Sequence, residues 1–162
     1  MLFRSEQDHG ASLYRRSLYV FWRRIVGPTL FFDVASRQTC TVRTPRTNVP
    51  LHALLTLNDI TYVEAARALA VRVGEAAATD PDRLRWLYRE VVGRLPEAPE
   101  QERLLESLQR YRQRFVAEPE RARELVGVGE ARIPTGLDTA SHAAWTVVCS
   151  TVLNLDESLN VE

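Results

Sequence analysis

The residues best suited to chemistry lie in the stretch CTVRTPRTNVPLHALLTLND, Cys40 to Asp59. Arg43 and Arg46 flank Thr44-Pro45, and Thr47 and Asn48 lead into a segment that reads as a helix start. A helix N-terminus presents free amide donors and a partial positive charge, so an anion is welcome there. Guanidinium groups add paired donors. The same atoms also serve a joint between two helices. Asn48 is a good N-cap, Pro50 fits a first turn, and Asn58 and Asp59 cap the helix that follows. Thr61 and Glu64 offer a capping-box alternative two residues later. The joint is the simpler use, because it needs no ligand. Both readings stand on Arg43, Arg46, Thr47, Asn48, Asn58 and Asp59. Cys40 with His52 forms a secondary candidate, since a thiol nucleophile needs a base.

Other chemistries find less. His9, His52 and His142 are scattered, with no H-E-x-x-H and no clustered carboxylates, so no metal site is expected. C-x-x-C-H and G-x-S-x-G are absent, and the GVG at 127–129 lacks the lysine and strand of a phosphate loop. YRRSLYVFWRR interleaves basic and aromatic residues, so residues 15–24 could stack on single-stranded nucleic acid. A formal net charge of zero disfavours that reading. Aromatics at helical spacing with outward-snorkelling arginines fit better.

Charge is nonetheless uneven. Residues 1–50 hold Arg4, Arg15, Arg16, Arg23, Arg24, Arg37, Arg43 and Arg46 against Glu6, Asp8 and Asp33, so the remainder is acidic. A basic half can face the acidic half of its own chain or an acidic partner. No apolar run approaches the ~20 residues of a membrane span, and no signal peptide is visible. Cys40 and Cys149 form no metal-type spacing, and a bridge between them would require export.

The elements that must position these residues are helical. Tyr14, Leu18, Phe21 and Ile25 share one helical face, ended by Gly27-Pro28. An ordered loop is expected over about 29–47. A short helix follows Asn48, then a long one with Tyr62, Ala66, Leu69 and Val73 as its apolar stripe. In TDPDRLRWLYREVVGRLP, Asp80 is expected to cap, Pro81 to open and Gly93 to close a helix burying Leu84, Leu87, Tyr88 and Val91. Pro99 opens a helix lined by Leu104, Leu105, Leu108, Tyr111 and Phe115, and PERARELV forms a short helix closed by Gly127 and Gly129. After a loop at 128–137, Asp138 caps TASHAAWTVVCSTVLNL, with Ala144, Val148 and Leu155 inward. DESLNVE reads as a loosely held acidic tail. The expectation is a mainly α bundle of about six helices with at most minor β. Residues 1–12 form a frayed N-terminus, 13–157 one helical domain and 158–162 a tail.

Three segments, LYRRSLYVFWRR, CTVRTPRTNVPLHALLTLND with TYVEAARALA, and AAWTVVCSTVLNLDES, resemble the C-terminal domain called domain of unknown function 1553. It occurs in large secreted planctomycete proteins that often also carry a planctomycete-type cytochrome c domain. The family pattern reads closer to T-N-T-P-L-Q-A-L, so Val49 and His52 depart from it, as does Ile60 where proline is common. The resemblance implies a C-terminal fragment of a longer, exported protein, packing on an upstream domain as an accessory or binding module. It implies haem only in that upstream company, and no cofactor in this chain. It carries no settled activity. An enzyme acting on anionic polysaccharide, with Arg43, Arg46 and Asn48 holding the anion and a nearby carboxylate as acid or base, is the alternative.

Overall fold

The computed structural model describes residues 9–14 and 50–159, with the side chains of Leu51 and His52 outside the description. The chain divides into two compact units, Met1–Thr47 and Asn48–Glu162. In the first, Gly10–Tyr14 form a short 3-10 helix that leaves Leu13 and Tyr14 exposed. Apart from Tyr14, the helix expected over 14–25 lies outside the described residues, as does the loop expected over 29–47. The expected single domain over 13–157 runs through those residues too.

Among its described residues the second unit has seven α-helices: α1 Pro50–Asn58, α2 Ile60–Ala76, α3 Asp80–Val91, α4 Ala98–Ala117, α5 Pro119–Val126, α6 Thr139–Leu153 and α7 Asp156–Leu159. No strand occurs among the described residues. The mainly α class expected from periodicity and caps is the observed one.

Helix α6 lies at the centre, and α2, α4 and α5 make their most extensive contacts with it. Its composition explains its place. It carries no charged residue, and the consecutive residues His142 to Thr146 are all buried. Successive helical residues differ by about 100°, so that run buries the whole circumference. Ala143, Ala144, Val148, Cys149 and Val152 are at most 1% exposed. The small alanines let neighbouring backbones come close, and Trp145, 3% exposed, fills the space beside them. Burial pushes the Cys149 thiol well above its ordinary range, and the thiol is free, so it behaves as a small hydrophobe.

The surrounding helices are amphipathic. Ala66, Leu69, Ala70 and Val73 of α2, Leu84, Leu87 and Tyr88 of α3, Leu108 and Phe115 of α4, and Ala122 and Val126 of α5 complete the core. The expected faces are therefore present, with Tyr62, Val91, Leu104, Leu105 and Tyr111 only half-buried at their margins.

Three boundaries differ from the sequence reading. The N-cap of α3 is Thr79, whose hydroxyl accepts from the Asp82 amide at 3.4 Å while Asp80 starts the helix. Thr79 and Asp80 are both good caps, and Pro81 is tolerated at either of the first two helical positions, so local grammar leaves a one-residue ambiguity. Asp80 is then free to pair with Arg112 of α4 at 3.0 Å. Helix α6 stops at Leu153, with Asn154 as its C-cap, rather than running on through Leu155. Asp156–Leu159 form a helical turn instead of a loose tail. The Ser158 hydroxyl donates to the Val152 carbonyl at 2.7 Å, and Glu157 meets Arg94 at 2.8 Å.

Candidate functional site

At the α1–α2 joint, helix α1 ends at Asn58, whose side-chain amide donates to the Leu54 carbonyl at 2.7 Å. The Asp59 amide donates to Leu55 O at 2.8 Å, and the Asp59 carboxylate accepts from the Thr61 amide at 2.9 Å. Both side chains therefore satisfy helix ends that would otherwise expose unpaired groups. Burial, then the Asp59 charge, raises the Tyr62 phenol above its usual range. Thr56, 6% exposed, donates to the Asn154 side-chain oxygen at 2.6 Å and ties α1 to the end of α6. Of the other candidates, Cys40, Arg43, Arg46, Thr47, Asn48 and the His52 side chain lie outside the described residues, as does the stretch at 15–24. Replacing Asp59 by alanine is expected to destabilise the chain by about 1 kcal/mol in denaturant unfolding, with asparagine retaining most of that. An Asp59→Ala variant of unchanged stability contradicts the capping role.

A polar cluster that sequence reasoning did not single out lies between α2 and the α5–α6 loop. The Arg67 guanidinium, 4% exposed, stands 3.5 Å from the Glu64 carboxylate, 9% exposed. Arg67 donates to Val126 O at 3.0 Å and to Ala131 O at 2.7 Å. The Ala131 amide donates back to the Glu64 carboxylate. One ion pair thus holds both polar groups of Ala131 and the C-terminal carbonyl of α5, a favourable place for a cation. The chain passes Glu64 closely only because residue 129 is glycine. Its φ is +87°, and a Cβ there would lie 2.4 Å from Glu64 Cδ. His142 of α6, 6% exposed, completes the cluster. Burial, then the Arg67 charge, holds its imidazole below the usual histidine range. His142 Nε2, Arg67 Nε and Trp145 Nε1 are buried without a hydrogen-bond partner among the described residues. Opposite charges three residues apart on the buried stripe of α2 were the legible signal. Buried as it is, the pair offers no face to a substrate, so its chemistry is that of a clamp.

Two further arginines join elements at the surface. Arg94 meets Glu100 and Glu157, each at 2.8 Å, and lies 5.4 Å from the Tyr88 ring centroid. The Arg94 hydrogen bond pushes the Glu100 carboxyl down to about 2 and lowers that of Glu157. Glu100 therefore keeps its charge well into acid, and its pairing is lost only as pH falls through about 2. Arg112 bridges Asp80 at 3.0 Å and the Ser141 hydroxyl at 3.3 Å, linking α3, α4 and α6.

A shallow open groove of about 410 Å³ is lined by Ala98, Gln101, Glu102, Leu105, Glu106 and Gln109. All six belong to α4, so no second element converges on it. Among the described residues, no three His, Cys, Asp or Glu side chains are grouped to hold a metal ion, and no helix is long and apolar enough to cross a membrane.

The profile of the family described as PSD1, protein of unknown function (DUF1553), matches residues 2–108. The chain belongs to this family. The matched range takes in α1, α2, α3 and the first half of α4, and so includes Glu64 and Arg67, while His142 lies beyond it. No curated protein and no solved structure matches the chain. Membership in the DUF1553 family agrees with the resemblance; of the three segments that carry it, those at 13–24 and 40–70 fall within the matched range and the one at 143–158 lies beyond it.

Proposed function

We propose that this DUF1553 chain is a helical accessory module that docks on a neighbouring domain of a longer polypeptide through an apolar strip at the α1–α2 joint. The strip carries the reading. Leu54, Leu57 and Ile60 follow at three-residue intervals and are 60%, 47% and 64% exposed. A lone exposed leucine is ordinary, but three large aliphatics in succession mark a contact surface. The polar residues beside them are already used, Asn58 and Asp59 in caps and Thr56 against Asn154. What the joint offers outward is therefore mainly hydrocarbon. The occupant assigned to it is the domain that precedes this one in the longer proteins implied by the family resemblance.

The test is retention of that separately expressed domain by this chain. A Leu54→Ser, Leu57→Ser, Ile60→Ser variant is expected to lose retention while its thermal midpoint stays within a few degrees of wild type, since surface changes are worth little to stability. Equal retention by variant and wild type overturns the assignment.

A further inference from the structure

The cluster around Arg67 couples a buried titratable group to an exposed loop. Three hydrogen bonds fasten the start of the α5–α6 connection to α2, namely Arg67 to Val126 O, Arg67 to Ala131 O, and the Ala131 amide to Glu64. Beyond Ala131 the connection, residues 132–138, is exposed throughout. His142 stands one helical turn into α6, buried, with Nε2 unpartnered among the described residues.

We propose that residues 127–137 form a strap that is fastened while His142 is neutral and released when it takes up a proton. A protonated imidazole beside Arg67 puts a second cation where one carboxylate already serves the first. Glu64 is engaged by Arg67 and by the Ala131 amide, and cannot neutralise both. Among the described residues, the other carboxylates of the packed elements and of the strap are exposed or engaged elsewhere: Glu75 of α2 and Glu130 of the strap are exposed, and Asp138, one turn before His142, is exposed and accepts from the Ala140 amide at 3.2 Å. On α5, Glu120, Arg121, Arg123 and Glu124 are exposed. Asp80 of α3 and Arg112 of α4 are paired with each other beside Ser141. The described side chains of α1 carry no charge, and Asp156 and Glu157 of α7 are exposed. The charged imidazole therefore needs water. The strap, exposed over 132–138, can open to water without breaking the helical core, as local opening draws on weakly held segments.

The sign follows from the direction of the histidine shift. Its value lies below the ordinary 6.5, so the closed form disfavours the proton. The strap is fully fastened above the ordinary value and loosens as pH falls below it. The device is independent of the docking strip on α1 and α2.

Amide hydrogen exchange of the full chain between about pH 5 and pH 8, corrected for intrinsic rates, reads the device. Protection within 127–137 is expected to fall by up to ~10-fold per pH unit below about 6.5, the slope of one linked proton, while amides of α3 and central α6 keep theirs. H142Q is expected to flatten the slope, and His9→Gln to leave it in place. Parallel loss of protection in strap and core overturns the proposal, as does an unchanged slope in H142Q. If H142Q fails to fold, the comparison of strap and core in the wild-type chain decides the matter.

Discussion

Replacing Arg67 by methionine is expected to destabilise the second unit by about 3–5 kcal/mol and to lower its thermal midpoint by roughly 10 °C or more. Methionine keeps much of the arginine stem, so the loss comes from the charged end. Two carbonyls, Val126 O and Ala131 O, lose their donor, and the nearly buried Glu64 carboxylate loses its counter-charge. Taking the guanidinium from a carboxylate in that setting is costly, because water does not replace it. The ion pair itself is a different quantity. Removing both charges together in Glu64→Gln/Arg67→Met is expected to be less damaging than Arg67→Met alone, since glutamine still accepts from the Ala131 amide. Equilibrium denaturation of the two variants checks this. A double variant as damaged as the single one contradicts the role given to the Glu64 charge.

The second large effect is expected at Gly129, in comparison with Gly136. Both have φ of +87°. Alanine at either position enters a region that disfavours L-residues by roughly 1–2 kcal/mol. At Gly136 nothing lies within 4 Å of the added Cβ, so the cost ends there. At Gly129 the Cβ would meet Glu64 Cδ at 2.4 Å and Cγ at 2.7 Å. Glu64 must move, and its bonds to Arg67 and to the Ala131 amide are strained or lost. Gly129→Ala is therefore expected to cost about 3 kcal/mol or more, well beyond Gly136→Ala. Equal midpoints for the two variants in urea unfolding contradict the close approach of loop and helix.

These two positions also show where sequence reading stops. The helices were legible because their signals are local. Asp59, Asp138, Pro99 and Gly93 mark ends through groups a few residues away, and α6 announces its burial by lacking charge. The one-residue shift to Thr79 arises because Asp80 has a better use, its pair with Arg112 on another helix. The Arg67 clamp was hidden for a related reason. Its partners include backbone carbonyls at 126 and 131, and any residue type supplies a carbonyl. Asp59 caps α2 as expected, and Glu64, offered as half of an alternative capping box, turns inward instead. DESLNVE read as loose because its acidic composition suits a solvated tail. What the composition could not show is that Arg94 stands within 2.8 Å of Glu157 and that Ser158 reaches back to α6.

Among the residues first considered for chemistry, Asn58 and Asp59 now have backbone partners within 3 Å. The same joint carries the exposed Leu54, Leu57 and Ile60. The polar signature and the apolar strip are thus two aspects of one structural feature. The caps fix the angle between α1 and α2, and that angle sets how the strip is presented. Helix ends present such a strip more definitely than a loop does, because helical backbone is held by its own hydrogen bonds.

The most direct test of the docking account is calorimetric titration of this chain with the preceding domain from a longer DUF1553 protein, repeated at several temperatures. Burial of the aliphatic strip predicts binding with a negative heat-capacity change, and loss of that binding in the Leu54→Ser, Leu57→Ser, Ile60→Ser variant. Absence of binding by the wild-type chain, or binding that the triple replacement leaves intact, would contradict the account.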